Sequence, residues 1–218
     1  MAFNIGKKII TDGLVLHLDT ANPKSYPGTG TILYDMSGNE INATLSNSDM
    51  ASVVPGEIRL NNTTDSVTFG HNLILEPPNI TVSAWINLLD ISDRHILLTK
   101  WYGFSWEIGA NTYPYFRLYG GFGDITSTIP IVWGQWHQIV GMVDSDNDVG
   151  YVYIDGVLAT TKNNASSISY NQGTFNIPYS NNPGYGYGKM GPISIYNKAL
   201  SQDEVTQNFN ALRGRYGI

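Results

Sequence analysis

The chain has 218 residues, 42% of them apolar and 14% charged, with a formal net charge of −6 and no cysteine. That apolar share can fill one full-sized core, and the missing cysteines exclude disulfides and Cys-ligated zinc. An acidic chain whose densest basic run is Lys7-Lys8 has no stripe for nucleic acid, and no stretch nears the ~18 apolar residues of a membrane helix.

The N-terminus, "MAFNIGKKIITDG", lacks the apolar centre of a secretory signal and reads, over residues 1–12, as an extra strand or docking arm. "GLVLHLD" (13–19) alternates Leu14, Leu16 and Leu18 against Val15, His17 and Asp19, the pattern of a strand with its leucines inward. Pro- and Gly-rich "NPKSYPGTG" is a loop, and "YDMSGNEINATL" carries a turn at Ser-Gly-Asn. "GEIRLN" and "DSVTFG" read as short strands, and "NITVSAWINLLD" (79–90) as a long one with Val82, Ala84 and Ile86 opposed to Trp85. "RHILLTKW", "FSWEIGA" and "YFRLYGG" follow at short intervals.

In "QWHQIVGMVD" (135–144), Trp136, Gln138, Val140 and Met142 oppose His137, Ile139 and Val143, with Trp136 expected in the core and His137 on the other face as a structural or partly exposed sheet residue. Asp155-Gly156 between two β-rich runs predicts a two-residue hairpin, because that dipeptide accepts positive φ at both turn positions. "GTFNIP" and "PISIYN" (192–197) are strands, with "NNPGYGYGKMG" a loop between them. The period then changes. Ser201 and Glu204 form a capping box, Val205, Phe209 and Leu212 share one helical face, and Gly214 stands as the C-cap, giving one helix over 201–213. Some dozen strands and one helix without a break in composition indicate a single all-β sandwich over 1–218.

The ordered set "NITVSAWINL", "HILLTKW", "WGQWHQIVGMVDSDNDVGYVYIDGVLATT" and "PISIYNKALSQDEV" resembles the laminin-G-like, concanavalin A-like lectin/glucanase jelly-roll family. The front, "GLVLHLDTANPKSYPGTGT", and the close, "NFNALRGRYG", are similar to versions found in tailed-phage structural proteins. The resemblance implies a jelly-roll β-sandwich of two antiparallel sheets. It further implies a non-enzymatic virion structural protein, capsid-decorating or tail-associated, assembled in a host cytoplasm and docked on other virion subunits as a homo-oligomer. The alternative it leaves open is a lectin-like carbohydrate-binding module. A fold shared by lectins, glucanases and adhesion modules does not choose between them.

Exposed aromatic rings serve either reading, since they give contact area at low entropic cost. Trp101, Tyr102, Tyr113, Tyr185 and Tyr187 are the candidates for a glycan or partner site; Trp85, Trp101, Trp106 and Trp136 are otherwise expected in the core. Asp144, Asp146 and Asp148 alternate, with Asp155 at the twelfth place, which imitates an EF-hand loop and makes calcium the one cofactor left open. The pattern departs at the sixth place, which is Val149, and at the twelfth, which is not Glu. Laminin-G-like domains often hold calcium at the sandwich rim, for which Asp19, Asp35 and Asp124 are candidates. Glycoside hydrolysis needs two carboxyl groups facing one sugar bond. None of the five Glu has Asp two places on, and Glu107, the one on a central strand, reads as a solvent-facing or hydrogen-bonded residue rather than a catalytic one.

Overall fold

The computed structural model describes residues 8–54, 56–61, 64–89, 94–100, 102–120, 123–165, 168–170, 173–177 and 187–218. Its strands in chain order are β1 (Leu14–Leu18), β2 (Ile32–Leu33), β3 (Ala43–Leu45), β4 (Ala51–Ser52), β5 (Glu57–Leu60), β6 (Val67–Thr68), β7 (Ile80–Leu88) and β8 (His95–Lys100). They continue as β9 (Phe104–Ile108), β10 (Pro114–Leu118), β11 (Gly123–Thr126), β12 (His137–Asp144), β13 (Val149–Ile154), β14 (Val157–Asn163), β15 (Phe175–Ile177) and β16 (Gly188–Tyr196), before the helix α1 (Gln202–Leu212). Every pairing is antiparallel.

One sheet runs β14-β13-β12-β7-β16-β5-β4, with β1 also on β16; the other runs β11-β10-β9-β8-β15-β6-β3-β2. Leu16, Val82, Ile86, Ile139, Val143 and Ile195 from the first face Phe104, Trp106, Phe116 and Ile125 from the second in one continuous core. The layers pack tightly at Gly141, where a Cβ would lie 2.5 Å from the Phe116 ring, and at Gly150, where it would lie 2.3 Å from Ile125. Glycine at these two points of β12 and β13 lets side chains of the opposite sheet fill the space. Trp106 also bonds across the layers, its indole N–H donating to the Val82 carbonyl at 3.4 Å.

The hairpin at Asp155-Gly156 forms as expected, with φ of 51° and 77°. The helix is capped as read: Ser201 accepts from the Glu204 amide at 3.3 Å, and Glu204 accepts from the Ser201 amide at 2.8 Å. Gly214 is not the C-cap, because the chain passes from α1 into a tight turn over Arg213–Arg215. A register shift between Leu14 and Leu16 sends Leu14 to the outer face beneath the helix while Leu16 and Leu18 stay in the core. Of the tract read as a loop before Pro192, residues 181–186 lie outside the described residues, while residues 188–191 open β16, which pairs with β5 over Gly188–Met190 and with β1 over Ile193–Tyr196. At Gly188 a Cβ would meet the Asn87 carbonyl at 2.4 Å. The glycine there permits a close backbone approach rather than a flexible segment.

β12 has the alternation expected and the opposite phase. Ile139 and Val143 face the other sheet, while Val140 and Met142 form a second apolar cluster with Tyr196, Leu200 and Val205 under α1. Trp136 is therefore not a core residue: it is half-buried and rests on Tyr216, with centroids 4.2 Å apart. Trp85 is buried on the same outer face, stacked on Phe209 at 5.7 Å and touching Tyr216 at 4.8 Å. Arg215 holds this C-terminal segment down by a bidentate pair with Asp19 at 2.7 and 2.9 Å. Residues 1–7 of the expected arm lie outside the described residues; Lys8 and Ile10 bond to Gln207 and Asn208 of the helix.

Candidate functional site

Strand alternation places Ser105 and Glu107 of β9, Tyr115 and Arg117 of β10 and Asp124 of β11 on the outer face of the second sheet, opposite the core row of Phe104, Trp106 and Phe116. Glu107 is the centre of this group and is 1% exposed. One of its oxygens accepts from the Ser105 hydroxyl at 2.7 Å and pairs with Arg117 at 3.3 Å. The other accepts from the Tyr115 hydroxyl at 2.7 Å and pairs with Arg94 at 3.2 Å. Burial, and then the bond to Glu107, holds the Tyr115 phenol well above its ordinary pKa, so it stays a donor. Arg117 donates twice to Asp124, at 2.8 and 2.9 Å, and this bond chiefly keeps its guanidinium charged. The same guanidinium lies 5.2 Å from the Tyr115 ring centre.

The arrangement fixes two part-exposed guanidinium groups and one phenol ring around a buried carboxylate. It can present cationic donors and an aromatic edge to a ligand. Glu107 already accepts from two hydroxyls and pairs with two guanidiniums, which consumes its lone pairs.

The sequence candidates fare differently. Tyr113 lies in the β9–β10 turn and Tyr187 before β16, both half-buried and both at one end of the sandwich. Tyr102, 52% exposed, lies in the β8–β9 turn at the other end. A hairpin's two ends cannot meet, so these residues do not form one site. Trp101 and Tyr185 lie outside the described residues.

As for the calcium candidates, no group of three carboxylates or histidines converges among the described residues. Asp144 accepts from the Asn147 amide and side chain, Asp146 from Asn79, and Asp148 adopts a φ of 59° within the turn. The rim candidates are engaged too. Asp19 pairs with Arg215 and Asp124 with Arg117, while Asp35 accepts from His17, Ser37 and Ile41. His137 is structural as read, though its side lies with the core row. It bonds Asp155 at 2.7 Å through Nδ1 and accepts from the Val132 amide at 3.0 Å through Nε2, which anchors the hairpin.

Arg94 and Arg117 escaped sequence reasoning. The signal available was the polar i, i+2 pairs Ser105/Glu107 and Tyr115/Arg117 on adjacent strands, which mark an outward face.

Residues 61–206 match the family model described as "Concanavalin A-like lectin/glucanases superfamily". The chain belongs to this superfamily. No curated protein matches the chain in sequence. Among solved structures, this concanavalin A-like chain is similar to the binding domain of Paraclostridial Mosquitocidal Protein 1, at 20% identity and TM-score 0.72, over 92% of this chain and 52% of that one. It is similar to the binding domain of Botulinum Neurotoxin DC, solved in complex with SialylT, at 18% identity and TM-score 0.72, over 93% and 52%. It is also similar to Trypanosoma rangeli sialidase in complex with the inhibitor DANA, at 16% identity and TM-score 0.69, over 96% and 34%. The chain thus spans about half of the toxin domains and a third of the sialidase, and at these identities the likeness concerns the fold.

Proposed function

We propose that this protein is a non-catalytic, lectin-like carbohydrate-binding module whose ligand is a glycan bearing a carboxylate. The observation that carries the reading is the buried Glu107, which orders Arg94 and Arg117 beside Tyr115 on the outer face of the second sheet. Guanidinium groups held in place by a carboxylate behind them lose little freedom on meeting a second carboxylate, and their planar fork suits a bidentate contact. The edge of the Tyr115 ring offers apolar contact to the sugar. The similarity to toxin binding domains, one of them carrying a sialylated ligand, fits this class of function without locating the site.

Calorimetric titration with 3′-sialyllactose and with lactose tests the proposal. Preferential binding of the acidic sugar is expected, weakened about tenfold by Arg94→Ala, the loss of one charge-assisted contact of about 1.4 kcal/mol. Equal affinity for the two sugars, or indifference to Arg94→Ala, overturns it. Release of reducing sugar from any glycan, lost on Glu107→Gln, overturns the non-catalytic part.

The second reading, docking on other virion subunits, is favoured by the exposed apolar pairs Val53-Val54, Leu73-Ile74 and Val157-Leu158. Its support is the sequence resemblance to phage proteins; none of the similar structures reported above is a virion protein. A strictly monomeric protein with no affinity for a capsid shell would remove it.

A further inference from the structure

The first sheet carries a separate feature, remote from the arginine face. Beside the first turn of α1, a cleft of about 370 Å³ opens over β12 and β13, lined by Met142, Asp144, Tyr151, Tyr153, Leu200 and Gln202. We propose that this cleft is a second binding site, for a neutral sugar unit.

The cross-strand pairs Val140–Tyr153 and Met142–Tyr151 set both tyrosines on the outer face, beside the apolar cluster under the helix. Their rings stand 6.4 Å apart at 37°, forming an aromatic wall over a floor of Met142, Leu200 and Ala199. Most of Tyr153 is packed away, at 5% exposed, while its hydroxyl forms no hydrogen bond to the described residues and is not sealed from solvent. Burial first, and the neighbouring Tyr151 second, raise its pKa, so it remains a donor at neutral pH.

The charge of the cleft decides the class of ligand. Its lining has the carboxylates of Asp144 and Glu204 and no cation. Lys198 is spent on Glu204 at 2.8 Å and Asp12 at 2.5 Å. At the helix N-terminus the capping box occupies the Ser201 and Glu204 amides. The two carboxylates therefore disfavour an anionic sugar. Asp144 accepts two bonds, from Asn147, and a carboxylate has about four lone-pair positions, so acceptor capacity remains. A neutral pyranose matches this set: its C–H face lies on Tyr151, one oxygen accepts from Tyr153, and its hydroxyls donate to Asp144. The inference does not depend on the acidic-glycan reading, since it uses another sheet and the opposite charge.

Titration of isotopically labelled protein with lactose, maltose and cellobiose, followed by NMR, tests it. The Met142 methyl and the Tyr151 and Tyr153 ring resonances are expected to shift with at least one of these sugars. Tyr153→Phe, which removes one oxygen and keeps the packing, should weaken that sugar about fivefold, the equivalent of one hydrogen bond near 1 kcal/mol. Tyr151→Ala should abolish the shift, while Arg94→Ala should leave it unchanged. An absence of shifts at these three residues with all three sugars overturns the proposal, as does binding there that Tyr153→Phe leaves intact.

Discussion

Glu107→Gln is the most informative single perturbation of the arginine face. The substitution conserves shape and removes the charge on which Arg94 and Arg117 converge. The glutamine oxygen can still accept from Ser105, but its amide nitrogen now faces guanidinium donors. Two charge-assisted contacts of 3.2 and 3.3 Å are lost. Each involves an arginine that is about a third exposed, so water screens it and the loss falls well short of a fully buried pair. With about 1 kcal/mol for each contact the fold should lose about 2 kcal/mol, which for a domain of this size lowers the melting temperature by roughly 4–8 °C. Differential scanning calorimetry of the two proteins, at matched pH and salt, measures it. Equal melting temperatures would mean that Glu107 does not organise the face, and the case for prearranged arginines would fall.

Three further outcomes are expected. His17 is buried beside Ser194 and its pKa lies below 6.5, chiefly through burial; the unfolded chain takes up the proton first, so stability should fall as pH drops below 6.5, and in urea melts His17→Gln should lessen that fall. Tyr216→Ala strips a ring from both Trp85 and Trp136 and a bond to the Gly56 carbonyl, so it should cost about 2–3 kcal/mol and move tryptophan emission to longer wavelength; an unmoved spectrum would refute the packing described. Since the described carboxylates do not converge, a chelator should leave the melting temperature unchanged, and a fall of several degrees would reveal a stabilising ion.

Local chemistry was readable and long-range partnership was not. The Asp155-Gly156 turn and the Ser201/Glu204 cap announce themselves because neighbours in sequence supply all that they require. The phase of β12 misleads because both of its faces are covered, one by the second sheet and one by α1, so alternation alone does not say which row faces the core. The first half of β16 is hidden by its glycines; its partners β5 and β7 lie about a hundred residues earlier and impose the extended form. A hairpin sends Tyr102 and Tyr113 to opposite ends, which their closeness in the chain does not disclose. Arg94, Glu107 and Arg117 converge only once β8, β9 and β10 lie side by side.

One flank of the sandwich is sewn shut by side chains. Thr160 of β14 donates to the Thr126 carbonyl at 2.7 Å, Lys162 to the Asp124 carbonyl at 3.1 Å, and Thr128 to the Ala159 carbonyl at 2.5 Å. Carbonyls that would otherwise recruit a foreign chain are thereby committed within the molecule. Ribbon-like polymerisation through that border is opposed, and any array of copies has to grow from loops, faces or the far margin.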